Sequence, residues 1–320
     1  MGSRPVRISV IIPAYNVEPY IAPALDSLFA QAVPIHEVII VNDGSTDDTA
    51  REIEKYAQRP EVTVVTTPNQ GLGPARNEGL DRATGDYVYF FDSDDLLRED
   101  FLCRMHAEIQ ANQHPDLIMF SGQSFVHGNP DQRVGNDLRR PFTETFADGG
   151  SAVARLVRAG TPAPCAWLYL SRRTLWESNG LRFKNIVHED DDMFLPLLMA
   201  CGRVVVLEDV FYERRLREHS ITTSGKSVKN ARGLLVAAGT LSRLYGDSAG
   251  QPEATRRAIR KRAVRTTRRY LRVCRKIGVR PDTRKVMDYS VMLRSPSLAM
   301  AAAASALVCS LRPTLRARES

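Results

Sequence analysis

The chain has 320 residues, 43% of them hydrophobic and 25% charged, with a formal net charge of +7; that balance allows a sizeable core in one large domain or one domain plus an appendage. Its five cysteines (103, 165, 201, 274 and 309) are scattered, odd in number and form no C-x-x-C pair, which argues against a disulfide framework or zinc site and for a reducing compartment. The charge is uneven: residues 256–285 carry 14 Lys/Arg and one acid, Asp282, leaving 30 bases and 36 acids elsewhere.

The chain reaches strand-like sequence by Ile8 without an apolar run of signal-peptide type, so cytoplasmic residence is expected. VRISVIIPAYN (6–16) reads as a buried strand. Glu18–Gln31 follows as a helix, with Ile21, Ala24, Leu25 and Leu28 at helical spacing. EVIIVND (37–43) is a second strand, and Thr46–Tyr56 a helix with Ser45 as N-cap and Asp47 and Asp48 in its first turn. EVTVVTT, a helix over Leu72–Ala83, DYVYFFD, a helix over Glu99–Ala111 and DLIMF continue the alternation to residue 120. Strands joined by helices predict a mostly parallel sheet covered on both faces, with ligands at the C-terminal ends of the strands. Polar residues gather at those ends: Asn16, Asp43 and Asp92–Asp95.

Residues 121–150 read as a long loop or weak hairpin. Helices are expected near 151–159, 172–179 and 189–201, and strands near 167–170, 203–208 and 210–215. A further amphipathic helix spans Val228–Tyr245, and GDSAGQP (246–252) has linker composition. In the basic stretch, Ile259, Ala263, Thr267, Tyr270, Cys274 and Ile277 make one thin seam on an Arg-rich helix. Ser295-Pro296 opens an Ala-rich apolar helix that Arg312-Pro313 is expected to close. The apolar run 298–311 is shorter than the roughly 20 residues a membrane span needs.

Asp92-Ser93-Asp94-Asp95 closes a buried strand. Acids at i and i+2 suit a hard cation that also holds substrate phosphates; the plainer alternative is an acidic turn capping a helix near Leu97. Four motifs decide the context: ISVIIPAYN (8–16), VNDGSTDDT (41–49), NQGLGPARNEG (69–79) and GDYVYFFDSDD (85–95). In order and spacing they resemble the inverting family 2 glycosyltransferases of the GT-A fold. Weaker similarity runs through AWLYLSRRTLWESNGLRF and VHEDDDMF to about residue 225.

The resemblance implies a GT-A type, Rossmann-like α/β fold over residues 1–225. Its nucleotide half would be about 1–120 and its acceptor half about 121–225, followed by a helical, Arg-rich extension over 226–320. It implies a nucleotide-sugar site of Ala14, Tyr15, Asp43, Arg76, Asp92, Ser93, Arg215 and Arg217. Mn²⁺ or Mg²⁺ would sit on Asp94 with Asp92, and the catalytic base would be Asp190, with Glu189 in reserve. The donor would be a UDP-sugar and the acceptor a cell-surface polysaccharide or lipid-linked glycan. Each residue also has a plainer role: Asp43 an Asx-turn, Arg76 an exposed helix position, Glu189–Asp192 an acidic first turn, Trp167 a core side chain. Glu213 and Arg214 stand where the family often has aromatics, and His219 where it often has glycine. The non-enzymatic alternative is an inactive GT-A-like scaffold; a nucleotidyltransferase would need a Gly- and Lys-bearing phosphate loop, which PAYNVEPY does not supply. Residues 256–285 read as a packed helix or as a surface for anionic membrane on the inner face of the cell, with nucleic acid not expected.

Overall fold

The computed structural model describes residues 5–135, 138–160, 163–217 and 226–316; His219, with its departure from the family pattern, lies outside them. β1 (Ile8–Ala14) is buried along its whole length, as a central strand covered on both faces must be. α1 (Glu18–Phe29) turns Ile21, Ala24, Leu25 and Leu28 inward. β2 (Glu37–Asn42), α2 (Thr49–Glu54), β3 (Val62–Thr66), α3 (Leu72–Leu80) and β4 (Tyr87–Phe90) follow, and the strands lie parallel in the order β3-β2-β1-β4. α2 starts later than expected, with Asp48 rather than Ser45 at its N-cap. The reason is competition: Ser45 Oγ accepts the Asn16 N–H at 3.1 Å, and Asp47 takes the Thr49 hydroxyl at 2.6 Å.

Beyond β4 the sheet becomes mixed. β5 (Leu96–Leu97) and α4 (Phe101–Ala111) lead into a hairpin of β6 (Leu117–Val126) and β7 (Asn129–Val134). β8 (Glu144–Phe146), α5 (Gly149–Ala159), β9 (Tyr169–Arg172), α6 (Arg173–Ser178), α7 (Glu189–Met199) and β10 (Val204–Leu216) complete this half. β9 inserts between β4 and β6, antiparallel to both, while β10 lies parallel to β6, so β1–β4, β6 and β10 share one direction and the sheet is mostly parallel, as expected. β10 is one strand where two were expected; the break shows as register shifts against β6 between Val206 and Tyr212.

The C-terminal segment forms α8 (Val228–Asp247), α9 (Glu253–Ile277), α10 (Thr283–Met292) and α11 (Pro296–Arg316). Residues 248–250, expected to be part of a linker, form a tight 3₁₀ corner with Ser248 buried. α9 buries Ile259, Ala263, Thr267, Tyr270 and Cys274 of the expected seam. Its Ala258, Ile259 and Ala263 join one apolar cluster with Val153 and Leu156 of α5 and Leu197 of α7. Fully burying one such aliphatic side chain stabilises by about 1.5–3 kcal/mol, which fixes a helix whose remaining surface is almost all charge. α11 runs through Arg312-Pro313 to Arg316, because a proline forfeits one helical N–H bond without forbidding the helical φ. Among the described residues no helix is long and apolar enough to cross a membrane.

Candidate active site

Three loops at the C-terminal ends of β1, β2 and β3 are laced together. Asn16, at φ 49°, accepts the Thr46 N–H on its Oδ1 at 2.8 Å. The Asp43 N–H donates to the Ala14 carbonyl at 2.9 Å, which sets two of the expected nucleotide residues side by side. The Asp43 carboxylate is buried and accepts from Thr67 Oγ1 (3.1 Å), Gln70 N–H (2.9 Å) and Gly71 N–H (2.7 Å). It thus ties the loop entering α3, a role broader than the Asx-turn with Gly44. Tyr15 stands 48% exposed beside it, an aromatic face open to a planar ligand.

The acidic turn after β4 is held by arginines. β5 separates it from α4, which starts at Phe101, so capping a helix near Leu97 is not its role. The sequence places Arg76 in the nucleotide-sugar site or, more plainly, at an exposed helix position, and the exposed alternative fails. It is 2% exposed and bridges two carboxylates: Nη2 donates to Asp92 Oδ1 at 2.8 Å and Nη1 to Glu189 Oε1 at 2.6 Å. Burial alone would pull this guanidinium down, but Asp92 and Glu189 push it above its ordinary value. Asp92 is pushed up by burial, with Arg76 opposing and Asp94 adding to the rise. Asp94 Oδ2 accepts from Arg217 Nε at 2.8 Å, and the Asp94 carbonyl from Arg215 Nε at 2.9 Å. Asp95 is buried between the Tyr212 hydroxyl and the Arg215 N–H, both at 2.6 Å, so it orients β10 against the turn. Ser93 is buried within the turn. Arg215 and Arg217 both lie over the Tyr20 ring, at 5.6 and 4.7 Å. Tyr20 carried no sequence signal, being one aromatic off the apolar face of α1.

α7 supplies the second acidic row. His188 enters it at φ 72°, a left-handed conformation that costs a non-glycine residue energy. Burial pushes the His188 imidazole down to about 4. Each acid then takes a separate partner. Glu189 binds Arg76, Asp191 binds Arg262 and Arg269 of α9, and Asp192 binds Lys184. Asp190 differs: among the described residues its carboxylate has one hydrogen bond, Oδ1 from the Asp191 N–H at 2.8 Å. Burial pushes it well above the usual carboxylate range, Glu189 and Asp191 add to the rise, and Arg76 opposes it. Burial and like charge therefore outweigh the helix N-terminus, which acts in the other direction. Arg262 and Arg269 were not foreseen; their only sequence trace is a seven-residue spacing on one side of the seam.

Two glycines seat this segment by close approach. A Cβ at Gly73 of α3 would fall 2.3 Å from the Lys184 carbonyl oxygen, and one at Gly233 of α8 would fall 1.8 Å from that of Val187. Trp167, a candidate sugar platform, stacks instead on Tyr212 at 4.2 Å and is 7% exposed, a core position.

The donor chemistry of the turn suits a hard divalent ion. Asp92 and Asp94 each carry one oxygen in an arginine pair and one with no hydrogen bond among the described residues. Those residues hold no cluster of three or more His, Cys, Asp or Glu side chains able to bind a metal. A pair of carboxylates fits an ion that completes its shell with substrate phosphates.

Residues 9–159 match the family model described as Glycosyl transferase family 2. EpsJ of Bacillus subtilis, an uncharacterized glycosyltransferase, is 32% identical over 222 residues, 67% of this chain and 62% of EpsJ. Staphylococcus aureus TarS, a poly(ribitol-phosphate) beta-N-acetylglucosaminyltransferase, is 30% identical over 213 residues, 65% of this chain and 35% of TarS. The structure of TarS in complex with UDP-GlcNAc superposes with a TM-score of 0.67 at 20% identity, covering 96% of this chain and 92% of that one, a likeness of GT-A fold. An uncharacterized glycosyltransferase of Haemophilus influenzae is 31% identical over 232 residues, 70% of this chain and 84% of the relative. From the arrangement of its strand-end acids and from these matches, the chain belongs to glycosyl transferase family 2.

Proposed function

We propose that the chain moves a sugar from a nucleotide-diphospho-sugar to an acceptor hydroxyl with inversion at the anomeric carbon. The donor is a UDP-sugar, in keeping with the UDP-GlcNAc in the TarS complex. The acceptor is a cell-surface polysaccharide or a lipid-linked glycan; the name of TarS likewise gives a polymer, poly(ribitol-phosphate). One observation carries the reading: Arg76 holds Asp92 and Glu189 on a single guanidinium, so two acidic motifs far apart in sequence meet at one place.

In this reading Tyr15 and Asp43 border the base, and Arg215 and Arg217 attract the diphosphate. Asp94 with Asp92 holds Mn²⁺ or Mg²⁺, which when bound offsets charge on the leaving diphosphate. Asp190 takes the proton from the acceptor hydroxyl, whose oxygen forms the new bond to the anomeric carbon as the bond to the diphosphate oxygen breaks and its electron pair leaves with UDP. A carboxylate raised by burial is a stronger base than an exposed one, which suits that task. Arg76 holds Glu189 in place beside it and opposes the rise that burial gives its carboxyl. Residues 1–225 are assigned to the transferase unit and 226–320 to an extension, of which α8 packs on α7 and α9 on α5.

The test is UDP release from a panel of UDP-sugars with glycan acceptors, with Mn²⁺ and with chelator. Release with one donor, abolished by chelation, supports the reading. Failure of every nucleotide sugar to bind or turn over removes it.

A further inference from the structure

We propose that the outer face of α9 and an exposed stripe of α11 together form a docking surface for an anionic phospholipid bilayer. The inner face of α9 is spent on packing and on Asp191. The outer face lines a groove of about 950 Å³ with Arg257, Lys261, Arg265, Arg268 and Arg272, Arg262 and Arg269 line it as well as binding Asp191, and the start of α11 closes it with Ser295 and Ser297. Arg268 is anchored to the Ser297 hydroxyl at 3.0 Å, and Arg257 lies 3.5 Å from Glu253. Among the described residues, Lys261, Arg265 and Arg272 have no carboxylate within salt-bridge distance, and all three are exposed.

The groove does not end at its rim. From Ser297 the same side of α11 continues through Met300, Ala304 and Val308, spaced at helical repeats, with Leu307 beside them. Met300 is 73% exposed, Leu307 62% and Val308 41%. On α10, which packs against α11, Val291 is 77% exposed. A basic groove running into an unburied apolar stripe fits headgroup phosphates on one part and the acyl boundary on the other. A water-soluble polyanion, nucleic acid included, would match the arginines and leave the stripe in water. Since no described helix can span a bilayer, the contact is one that lies in the interface plane. This inference does not depend on the transferase reading.

The full chain is tested by sedimentation with vesicles of phosphatidylglycerol and phosphatidylcholine mixed, and of phosphatidylcholine alone. Binding to the anionic vesicles that weakens with salt and is absent from the neutral ones supports the surface. Arg265→Gln with Arg272→Gln should lower the partition about 25-fold, at about fivefold per basic residue near an anionic surface. Met300→Asp with Leu307→Asp should weaken binding at least tenfold while the groove stays intact. All four side chains are exposed, so melting temperature and UDP-sugar affinity should not change. Equal binding to neutral vesicles, no binding at all, or full binding by the stripe variant overturns the proposal. Soluble polyphosphate that binds as tightly as the vesicles, with no effect of the stripe variant, identifies a polyanion site instead and overturns it too.

Discussion

Arg269 Nη1 lies 2.7 Å from Asp191 Oδ2, so a helix of the C-terminal extension holds the residue next to Asp190. Arg262 takes the other carboxylate oxygen of Asp191. Asp191 is 4% exposed, and two cations are what make so buried a charge tolerable. Arg269→Ala should cost about 1.5–3 kcal/mol, the range for a hydrogen bond to a charged group. Arg262→Ala combined with it should cost on the order of 3–5 kcal/mol, because the carboxylate is then buried without a partner. Urea denaturation measures both, and a double variant as stable as the parent contradicts the pairing.

Arg76 carries a larger share. Its removal leaves Asp92 and Glu189 facing each other across an empty site, so Arg76→Met should cost on the order of 3–5 kcal/mol and abolish UDP-sugar binding. Arg76→Lys should recover only part of the stability, since an ammonium lacks the planar fork that spans two carboxylates. Full recovery by lysine would show that charge alone matters there.

Asp190→Asn separates catalysis from stability. The folded Asp190 holds its proton to higher pH than the unfolded chain, whose ordinary value is 3.8. Between those two values the native state binds more protons, so this group's contribution to stability falls as pH rises. Asparagine mimics the protonated form. The variant should therefore melt higher than the parent at neutral pH, with the gain vanishing below the ordinary aspartate range, while transfer is lost and donor binding stays. In the parent, transfer should rise with pH as Asp190 ionises. Near-normal turnover by the variant would move the base elsewhere.

Asp94→Asn should remove the Mn²⁺-dependent part of UDP affinity while the melting temperature falls only modestly, because asparagine keeps an acceptor oxygen for Arg217 Nε in this partly buried pair. Titration calorimetry with and without metal reads this directly. An unchanged metal-dependent affinity takes Asp94 out of the metal site.

His188 gives an opposite pH signature. Folded, it stays neutral down to about 4; unfolded, it protonates near 6.5. The unfolded state thus binds more protons in that window, and stability is lost as pH falls through it. His188→Asn keeps a residue that tolerates φ 72° and should flatten the acid limb of stability between pH 6.5 and about 4. An unchanged limb would assign the loss to other groups.

The sequence was most legible where period and motif agreed. Strands buried on both faces announce themselves as runs such as ISVIIPA, and the acids at their ends mark the site. What escaped was whatever depends on pairing between distant segments. Nothing in YLSR says that β9 enters antiparallel between β4 and β6. The burial of Arg76 was hidden because its helix has little apolar periodicity, and its partners stand 16 and 113 residues away. The basic seam was readable, while the choice of Arg262 and Arg269 as the partners of Asp191 was not, since equal charges in a sequence do not declare which of them meets a buried acid.

The contacts at Gly73 and Gly233 bear on how the protein tolerates change. Main chain touches main chain there, so the segment leading into α7 is pinned between α3 and α8 with no side chain to act as a cushion. A single added methyl at position 233 would press on the Val187 carbonyl, three residues before Asp190, and lever the acid row out of line. Alanine scanning of the extension should find its most damaging hit at a residue with no chemistry of its own.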